Sequence, residues 1–245
     1  MFNDYAVLIK KDRLNENVFS FLLKCKEISS LAEPGQFVNI LIEGLTLRRP
    51  FSICEVKEEF FRVVFRVCGK GTQKMANWQE GKRVNVIGPL GKGFKAIDKN
   101  EKLLLVGGGI GIVPLVQLSK KADFFIVLAG FNSKKEVILK EEFGNCMELK
   151  ICTVDGSYGE KGLVTNFIED VIKKYDVNRI AACGPEKMLE TVADVAKKCS
   201  VFCEVSLEER MGCGFGACLG CKHIFKVNGY EKSLHVCKDG PVFVV

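Results

Sequence analysis

Four cysteines in the C-terminal part of the sequence have a spacing that is typical of metal ligation. Cys213, Cys218 and Cys221 are separated by four and then two residues, and Cys237 follows after fifteen more. This is the plant-type spacing of a 2Fe-2S cluster, in which thiolates from one short loop and one distant thiolate bind two irons. Four glycines among residues 212–220 allow the backbone to wrap closely around such a cluster. We therefore predict that the four cysteines are cluster ligands.

The alternative for these cysteines is a single zinc ion. Four-cysteine zinc sites usually consist of two short Cys-x-x-Cys pairs, so a triplet followed by one distant cysteine favours the 2Fe-2S cluster. His223 and His235 lie nearby and would suit a Rieske centre, but four thiolates already complete the coordination. We predict that both histidines face solvent. The other eight cysteines are scattered, mostly among apolar residues, and are predicted to fill space in the core.

The composition narrows the class of protein that must position these ligands. Hydrophobic residues make up 47% and charged residues 27% of the 245, as in ordinary globular proteins. The net charge of +6 is spread along the chain, which argues against nucleic-acid binding. The most apolar stretch, Leu103 to Leu118, is broken by glycines and shorter than the roughly 20 residues of a membrane span. The first residues lack a secretory signal, so we predict a cytoplasmic protein with reduced thiols.

The N-terminal half has the pattern of a small antiparallel barrel. Short runs rich in Val, Ile and Phe are separated by turn residues, without long helices between them. Closure into a barrel would leave no exposed edge strand. The six predicted strands are Tyr5–Ile9, Val18–Leu23, Phe37–Ile42, Phe51–Val56, Phe60–Val67 and Arg83–Ile87.

Two short motifs in this predicted barrel could bind a flavin nucleotide. In the first, Arg49 could bind a pyrophosphate, Phe51 could cover a flavin ring, and Ser52 could hydrogen-bond the ring or the ribityl chain. The second, Gly69-Lys70-Gly71-Thr72, precedes a predicted short helix whose free amides could receive phosphate. Each motif alone has another interpretation: a surface arginine, a core phenylalanine or an ordinary tight turn. Their joint presence upstream of a nucleotide-binding pattern favours the flavin.

From Lys102 the pattern changes to alternating strands and helices, which predicts a doubly wound parallel sheet. The predicted strands are 102–106, Phe124–Ala129, Leu149–Val154 and Arg179–Ala182, and the predicted helices run to Lys120, from Leu163 to Lys174 and from Glu186 to Lys198.

Three loops of this sheet could bind a dinucleotide, because ligands bind beyond the carboxyl ends of parallel strands. The first contains Gly107, Gly108, Gly109 and Gly111, which would let a dinucleotide approach the following helix, although Pro114 stands where a third motif glycine would be. The others begin with Asp155-Gly156 and with Cys183-Gly184-Pro185. No arginine follows the second strand to bind a 2′-phosphate, which favours NAD over NADP, although Lys134 and Lys135 leave NADP open.

Together, these motifs resemble the ferredoxin reductase superfamily over nearly the full chain. The tail from Glu209 to Cys221, with the ending Val236-Cys237-Lys238-Asp239-Gly240-Pro241, is similar to the electron-transfer subunits of dihydroorotate dehydrogenase B. The resemblance implies a barrel domain for FAD at 1–98, an NAD domain at 99–205 and a 2Fe-2S subdomain at 206–245. It also implies a set of FAD contacts: Arg49, Pro50, Phe51, Ser52, Arg66, Val67, Cys68, Gly71 and Thr72. The family often has tyrosine or an aliphatic residue where Phe51 stands.

The resemblance further implies a partner and a route for electrons. A separate catalytic subunit would hold FMN and oxidise dihydroorotate, in a heterotetramer of two plus two subunits. Electrons would pass from that FMN through 2Fe-2S and FAD to NAD, and no acid-base catalyst is assigned to this chain. Rival interpretations are the small subunit of a ferredoxin-linked NADPH oxidoreductase, of a sulfide dehydrogenase or of a hydrogenase. A zinc-stabilised, nucleotide-sensing regulator is the rival from another class.

Overall fold

Six strands in the first part of the chain close into an antiparallel barrel in the order β1-β2-β5-β4-β3-β6. The strands are β1 (Phe2–Arg13), β2 (Val18–Lys24), β3 (Phe37–Ile40), β4 (Arg49–Lys57), β5 (Phe60–Arg66) and β6 (Arg83–Leu90). Two short helices, α1 (Lys26–Leu31) and α2 (Lys70–Ala76), interrupt them. The predicted barrel is confirmed, and α1 is an addition that the sequence pattern did not predict.

Aromatic and aliphatic side chains fill the inside of the barrel. Phe21 and Phe65 meet edge to face with 4.9 Å between ring centroids, an arrangement that aromatic pairs prefer. Val38 and Ile40 of β3 belong to the same buried cluster. Because side chains alternate along a strand, the residues between them lie on the outer face of the barrel. This alternation decides which residues of β3 and β4 can meet the cysteine-rich segment.

A parallel sheet forms most of the second part of the chain. Its strands are β7 (Leu103–Gly108), β8 (Phe125–Phe131), β9 (Glu148–Thr153), β10 (Glu160–Lys161), β11 (Arg179–Cys183) and β12 (Phe202–Ser206). The helices between them are α3 (Val113–Ser119), α4 (Ile168–Tyr175) and α5 (Glu186–Lys198). The central order β9-β8-β7-β11-β12 is that of a dinucleotide-binding sheet, so the predicted fold class is confirmed.

A buried ion pair joins β11 to β12. Arg179 is 1% exposed, and its guanidinium donates to Glu204 and to Glu101, at 2.6 Å in each case. It also donates to the carbonyls of Lys95 and Ala96. The second oxygen of Glu204 accepts the Lys95 amide. The Glu204 carboxylate inside the strand is thus satisfied by its neighbours, as a buried charge must be.

A hairpin and a short final strand complete the chain after the cysteine loop. They comprise β13 (Lys222–Val227), β14 (Tyr230–His235), α6 (Val236–Asp239) and β15 (Val242–Val244), which extends the parallel sheet beside β12. The chain divides into two compact units, Met1–Gly93 with Leu207–Val242 and Phe94–Ser206 with Phe243–Val245. This computed structural model describes residues 2–227 and 230–245, with side chains for 4–224 and 233–245. Among these residues, no helix combines the length and apolar content needed to cross a bilayer.

Candidate functional site

The four predicted cluster ligands form two neighbouring pairs in the first unit. The Sγ atoms of Cys221 and Cys237 are 3.2 Å apart, and both residues are buried. Cys213 and Cys218 form the second pair: the Cys213 amide donates to Cys218 Sγ, and the Cys218 amide donates to Cys213 Sγ, both at 3.4 Å. Cys218 is exposed and Cys213 is partly exposed. The loop therefore presents one inner and one outer pair of thiols.

The backbone around these thiols stabilises negative charge on Cys213 of the outer pair. Burial raises the pKa of the Cys213 thiol, but hydrogen bonds from the amides of Cys218, Phe215 and Ala217 outweigh it and bring the pKa to about 6. Burial, together with the adjacent Cys221 thiol, raises the pKa of Cys237 to about 12. Binding of a metal ion at the inner pair would have to displace the proton of the Cys237 thiol, because the thiolate is the metal ligand.

Two thiol pairs with amide donors fit a two-iron cluster. Each iron of a 2Fe-2S cluster takes two protein thiolates, and amide hydrogen bonds to sulfur stabilise its charge. A zinc ion would instead require four sulfurs around one centre. The sulfurs approach each other as two pairs, Cys213 with Cys218 and Cys221 with Cys237. The donor set thus matches the 2Fe-2S prediction.

The prediction that the two histidines face solvent is wrong. His223 Nδ1 lies 3.0 Å from a Glu209 carboxylate oxygen, and its side chain is 20% exposed. His235 lies 3.8 Å from the carboxylate of Asp239, and its side chain is 24% exposed. Asp239 also accepts the backbone amide of His235. Both rings pair with carboxylates that lie close to them in the cluster segment, a role that sequence spacing alone does not reveal.

Arg49 and Gly71 bring the two predicted flavin motifs together. A Cβ added to Gly71 would lie 3.4 Å from Arg49 Nε and 3.1 Å from Ile42 Cδ1, so a side chain here would touch Arg49 and require Ile42 to shift by a few tenths of an ångström. The Arg49 guanidinium donates to the carbonyls of Leu47 and Arg48, and the residue is partly exposed. A partly exposed guanidinium beside a glycine turn is suited to a pyrophosphate.

The other predicted flavin contacts have varied surroundings. Phe51 is 9% exposed and packs against Phe65 with 5.6 Å between centroids, so the interpretation as a core ring describes its packing. The Thr72 hydroxyl accepts the amides of Cys68 and Gly69, which closes the turn before α2. Cys68 is exposed. Partly exposed side chains are present at the remaining positions, Pro50, Ser52, Arg66 and Val67. Their contacts with FAD stay predictions.

The glycine loops of the second unit lie along one edge of the parallel sheet. Register pairs Cys183 with Gly107 and Gly107 with Ala129, which aligns the carboxyl ends of β11, β7 and β8. A Cβ at Gly108 would approach Pro185 to 2.7 Å. One at Gly111 would collide with the Cys183 carbonyl. The glycines therefore let the two predicted dinucleotide loops pack together.

Gly107, Gly109 and Gly184 complete this pair of loops. A Cβ at Gly107 would approach Ile112 Cδ1 to 2.5 Å, and one at Gly184 would lie 2.7 Å from Met188 Cε. Gly109 has a φ of 56°, in the left-handed region that glycine adopts most readily. Packing thus accounts for these glycines, and their contact with a dinucleotide stays a prediction.

Asp155 and Glu136 add negative charge at the same edge. Asp155 Oδ1 accepts the amide and hydroxyl of Ser157, and the hydroxyl bond lowers the pKa of Asp155. Gly156 follows it in the exposed turn. Glu136 accepts the side-chain amide of Asn132, at 3.0 Å to the nearer oxygen, just after β8. A carboxylate at this place opposes a 2′-phosphate and favours a ribose hydroxyl. The prediction of NAD rested on the absence of arginine alone, and Glu136 did not enter it.

Solved structures share this architecture. One is a chain of the NADH-dependent reduced ferredoxin-NADP oxidoreductase, studied for flavin-based electron bifurcation. It is 32% identical, covers 98% of this chain and 87% of its own, and superposes with a TM-score of 0.85. The ferredoxin reductase in carbazole 1,9a-dioxygenase, at 19% identity and a TM-score of 0.69, covers 80% of this chain and 66% of its own and shares the fold.

The barrel, the dinucleotide-type sheet and the paired cysteines define an oxidoreductase component of the ferredoxin reductase type that uses FAD, NAD and an iron-sulfur cluster. Residues 208–245 match the family model of the iron-sulfur cluster binding domain of dihydroorotate dehydrogenase B. The chain belongs to the family of electron transfer subunits of dihydroorotate dehydrogenase B (NAD(+)). A relative of that name from Caldanaerobacter subterraneus subsp. tengcongensis is 36% identical over 97% of this chain and 95% of its own length. One from Bacillus cereus is 37% identical over 98% and 95%.

Proposed function

We propose that this chain passes electrons between the FMN of a dihydroorotate-oxidising catalytic subunit and NAD, by way of a 2Fe-2S cluster and FAD. The observation that carries the proposal is the placement of the cysteine pairs in the same unit as the barrel with the flavin motifs. FAD, when bound, would link the two-electron chemistry of nicotinamide to the one-electron chemistry of the cluster.

The residues of this chain would bind and orient the groups. The four cysteine thiolates would ligate iron, with the amides around Cys213 stabilising the cluster's charge. Arg49, beside Gly71, would hold the FAD pyrophosphate. The packed loops at Gly108 and Pro185 would shape the dinucleotide site, and Glu136 would select NAD. No side chain of this chain is assigned to proton transfer.

The proposed partner is an FMN-containing dihydroorotate dehydrogenase catalytic subunit, in an assembly of two plus two chains. The name of the relatives, an electron transfer subunit, supports a separate catalytic chain. We place the complex in the cytoplasm, because a reduced compartment keeps the cluster thiols available for iron.

The second candidate function is that of a subunit of a ferredoxin-linked NADP oxidoreductase. The 32% identical chain of the NADH-dependent reduced ferredoxin-NADP oxidoreductase favours it. The two candidates differ in the substrate of the partner chain: dihydroorotate in the first, reduced ferredoxin in the second.

The decisive experiment is anaerobic co-expression with an FMN-containing catalytic subunit. We expect a complex that contains FAD and two irons for each copy of this chain, as a 2Fe-2S cluster requires, and that forms NADH from dihydroorotate. Cys218→Ser should remove the iron and the dihydroorotate-dependent activity. Cys199→Ser, a matched change outside the cluster segment, should leave both intact. A complex that reduces NADP with reduced ferredoxin but does not oxidise dihydroorotate would support the second candidate.

A further inference from the structure

Asn39 is a polar residue at a buried position on the outer face of the barrel. Its neighbours on β3, Val38 and Ile40, are fully buried in the barrel core. Side chains alternate along a strand, so Asn39 points to the opposite face. It is nevertheless only 1% exposed. Something must therefore cover this face of β3.

The cover is the backbone of the cysteine loop. Asn39 Nδ2 donates a hydrogen bond of 2.7 Å to the carbonyl oxygen of Cys213, which is 174 positions away in the sequence. The next residue, Gly214, has a φ of 81°, and a Cβ there would collide with the Asn39 amide. The loop thus runs directly over Asn39. The residue that Asn39 bonds, Cys213, is a predicted cluster ligand.

The side-chain oxygen of Asn39 indicates that this position requires the N–H donor of the amide. Asn39 Oδ1 is buried and has no hydrogen-bond partner among the described residues. A buried polar atom without a partner costs free energy, and a leucine of similar size would avoid that cost. The bond from the Asn39 N–H to the cysteine loop offsets this cost.

The strand register connects this contact to the flavin motif. Asn39 lies opposite Pro50 of β4, and Ile40 lies opposite Arg49. The segment is also attached to the barrel at a second place, where the Lys92 amide donates to the Gly240 carbonyl at 2.6 Å. Of these two attachments, only the one at Asn39 uses a side chain and bonds a ligand residue.

We propose that Asn39 is a positioning residue that holds the cluster loop at a fixed distance from the flavin strand and thereby sets the rate of electron transfer between FAD and the cluster. This inference rests on the proposed function. In the step concerned, one electron leaves reduced flavin and reduces one iron, and no bond is made or broken. Residues that orient metal ligands in this way typically change metal affinity or activity on the order of tenfold or more when they are replaced.

The test compares Asn39→Leu with Gln36→Leu in the full complex. Gln36 is a matched control, because its amide donates at 2.7 Å to the Gly91 carbonyl, in the peptide group whose Lys92 amide makes the second attachment, and that attachment bonds no ligand residue. Stopped-flow reduction by NADH resolves bleaching of the flavin from the later reduction of the cluster. We expect Asn39→Leu to leave the flavin step unchanged and to slow the cluster step on the order of tenfold. Gln36→Leu should change neither step.

Hydrogen exchange provides a readout that does not depend on the cofactors. In iron-free protein, amides of residues 212–218 should exchange faster in Asn39→Leu than in the control and the wild type. Unchanged exchange there, or an unchanged cluster step in a loaded variant, would overturn the proposal. Loss of iron from Asn39→Leu together with faster exchange would support it. Wild-type complex without iron or FAD would refute the proposed function, while the exchange comparison would still decide the role of Asn39.

Discussion

Arg48 and Arg49 are adjacent in the sequence, but their guanidinium groups have different surroundings. Arg48 donates to the carbonyls of Asn39 and Asn85 and to the Asn85 side chain, and so joins β3 to β6. Burial lowers its pKa. Arg49 is partly exposed beside Gly71. One arginine therefore stabilises the barrel, and the other is available to a phosphate.

Replacing Arg49 should weaken FAD binding without unfolding the barrel. Loss of hydrogen bonds from a charged donor costs about 1.5 to 3 kcal/mol, so Arg49→Met should raise the dissociation constant for FAD on the order of ten- to a hundredfold. Fluorescence titration of the flavin-free protein measures this. Arg48→Met should lower the urea midpoint instead. Arg83→Met, an exposed change on β6, should alter neither, and equal loss of FAD in the Arg49 and Arg83 variants would contradict the assignment.

Glu136 should determine the choice between NAD and NADP. Glu136→Lys replaces a repulsive charge near the expected ribose by an attractive one, and a charge interaction of about 1.4 kcal/mol corresponds to roughly tenfold. We expect the ratio of kcat/KM for NADPH to that for NADH to rise by this factor, measured with an artificial electron acceptor. Glu141→Lys makes the same charge change at an exposed position. A similar rise in both variants would show that net charge alone is responsible.

At the scale of strands and helices, the elements that could be predicted are those whose sequence contains a local pattern, such as a short apolar run. All six barrel strands and β7, β8, β9 and β11 follow from short apolar runs, whereas the two-residue strand β10 was not predicted. Strand β12 was missed because Glu204 interrupts its apolar run, and only Arg179 across the sheet explains a carboxylate there. The cysteine spacing singled out the four thiols that lie in two pairs, and their role as ligands stays a prediction. The contact of Asn39 with Cys213 gives no local signal, since the two residues are far apart in the sequence.

Breaking the ion pair between β11 and β12 should destabilise the second unit. Glu204→Gln removes the negative charge beside the Arg179 guanidinium, whose side chain is 1% exposed. Removing one partner of a buried pair costs about 3 to 5 kcal/mol. Because Glu101 also pairs with Arg179, we expect the lower end of that range. Hydrogen exchange of β11 and β12 in urea measures the effect. Glu169→Gln, which removes an exposed pair, should leave the exchange unchanged.

At the scale of the whole molecule, the cluster segment is part of the unit that contains the barrel. Residues Leu207–Val242 belong with Met1–Gly93, although strands β7 to β12 are encoded between these two segments. The segment adds ligand residues and backbone contacts to the barrel, such as the bond between Lys92 and Gly240. Metal binding should therefore be coupled to the stability of this unit.

Removal of iron should loosen the first unit more than the second. Anaerobic chelation should speed hydrogen exchange in residues 207–222 and in β3, because the loop that covers β3 loses its bound cluster. Strands β7 and β8 serve as the internal control and should keep their protection. Equal acceleration in both units would contradict this coupling, and so would protection that is unchanged everywhere.

The span of 174 positions between Asn39 and Cys213 also bears on the order of events during translation. The barrel strands end at Leu90, so they can pair while the ribosome is still adding the parallel sheet. The outer face of β3 then remains uncovered at least until Cys213 and Gly214 have been made, and the last predicted ligand to be made is Cys237. Insertion of the complete cluster must follow synthesis of Cys237. The nascent chain carries an Asn39 amide without its Cys213 partner until the cysteine loop folds onto β3.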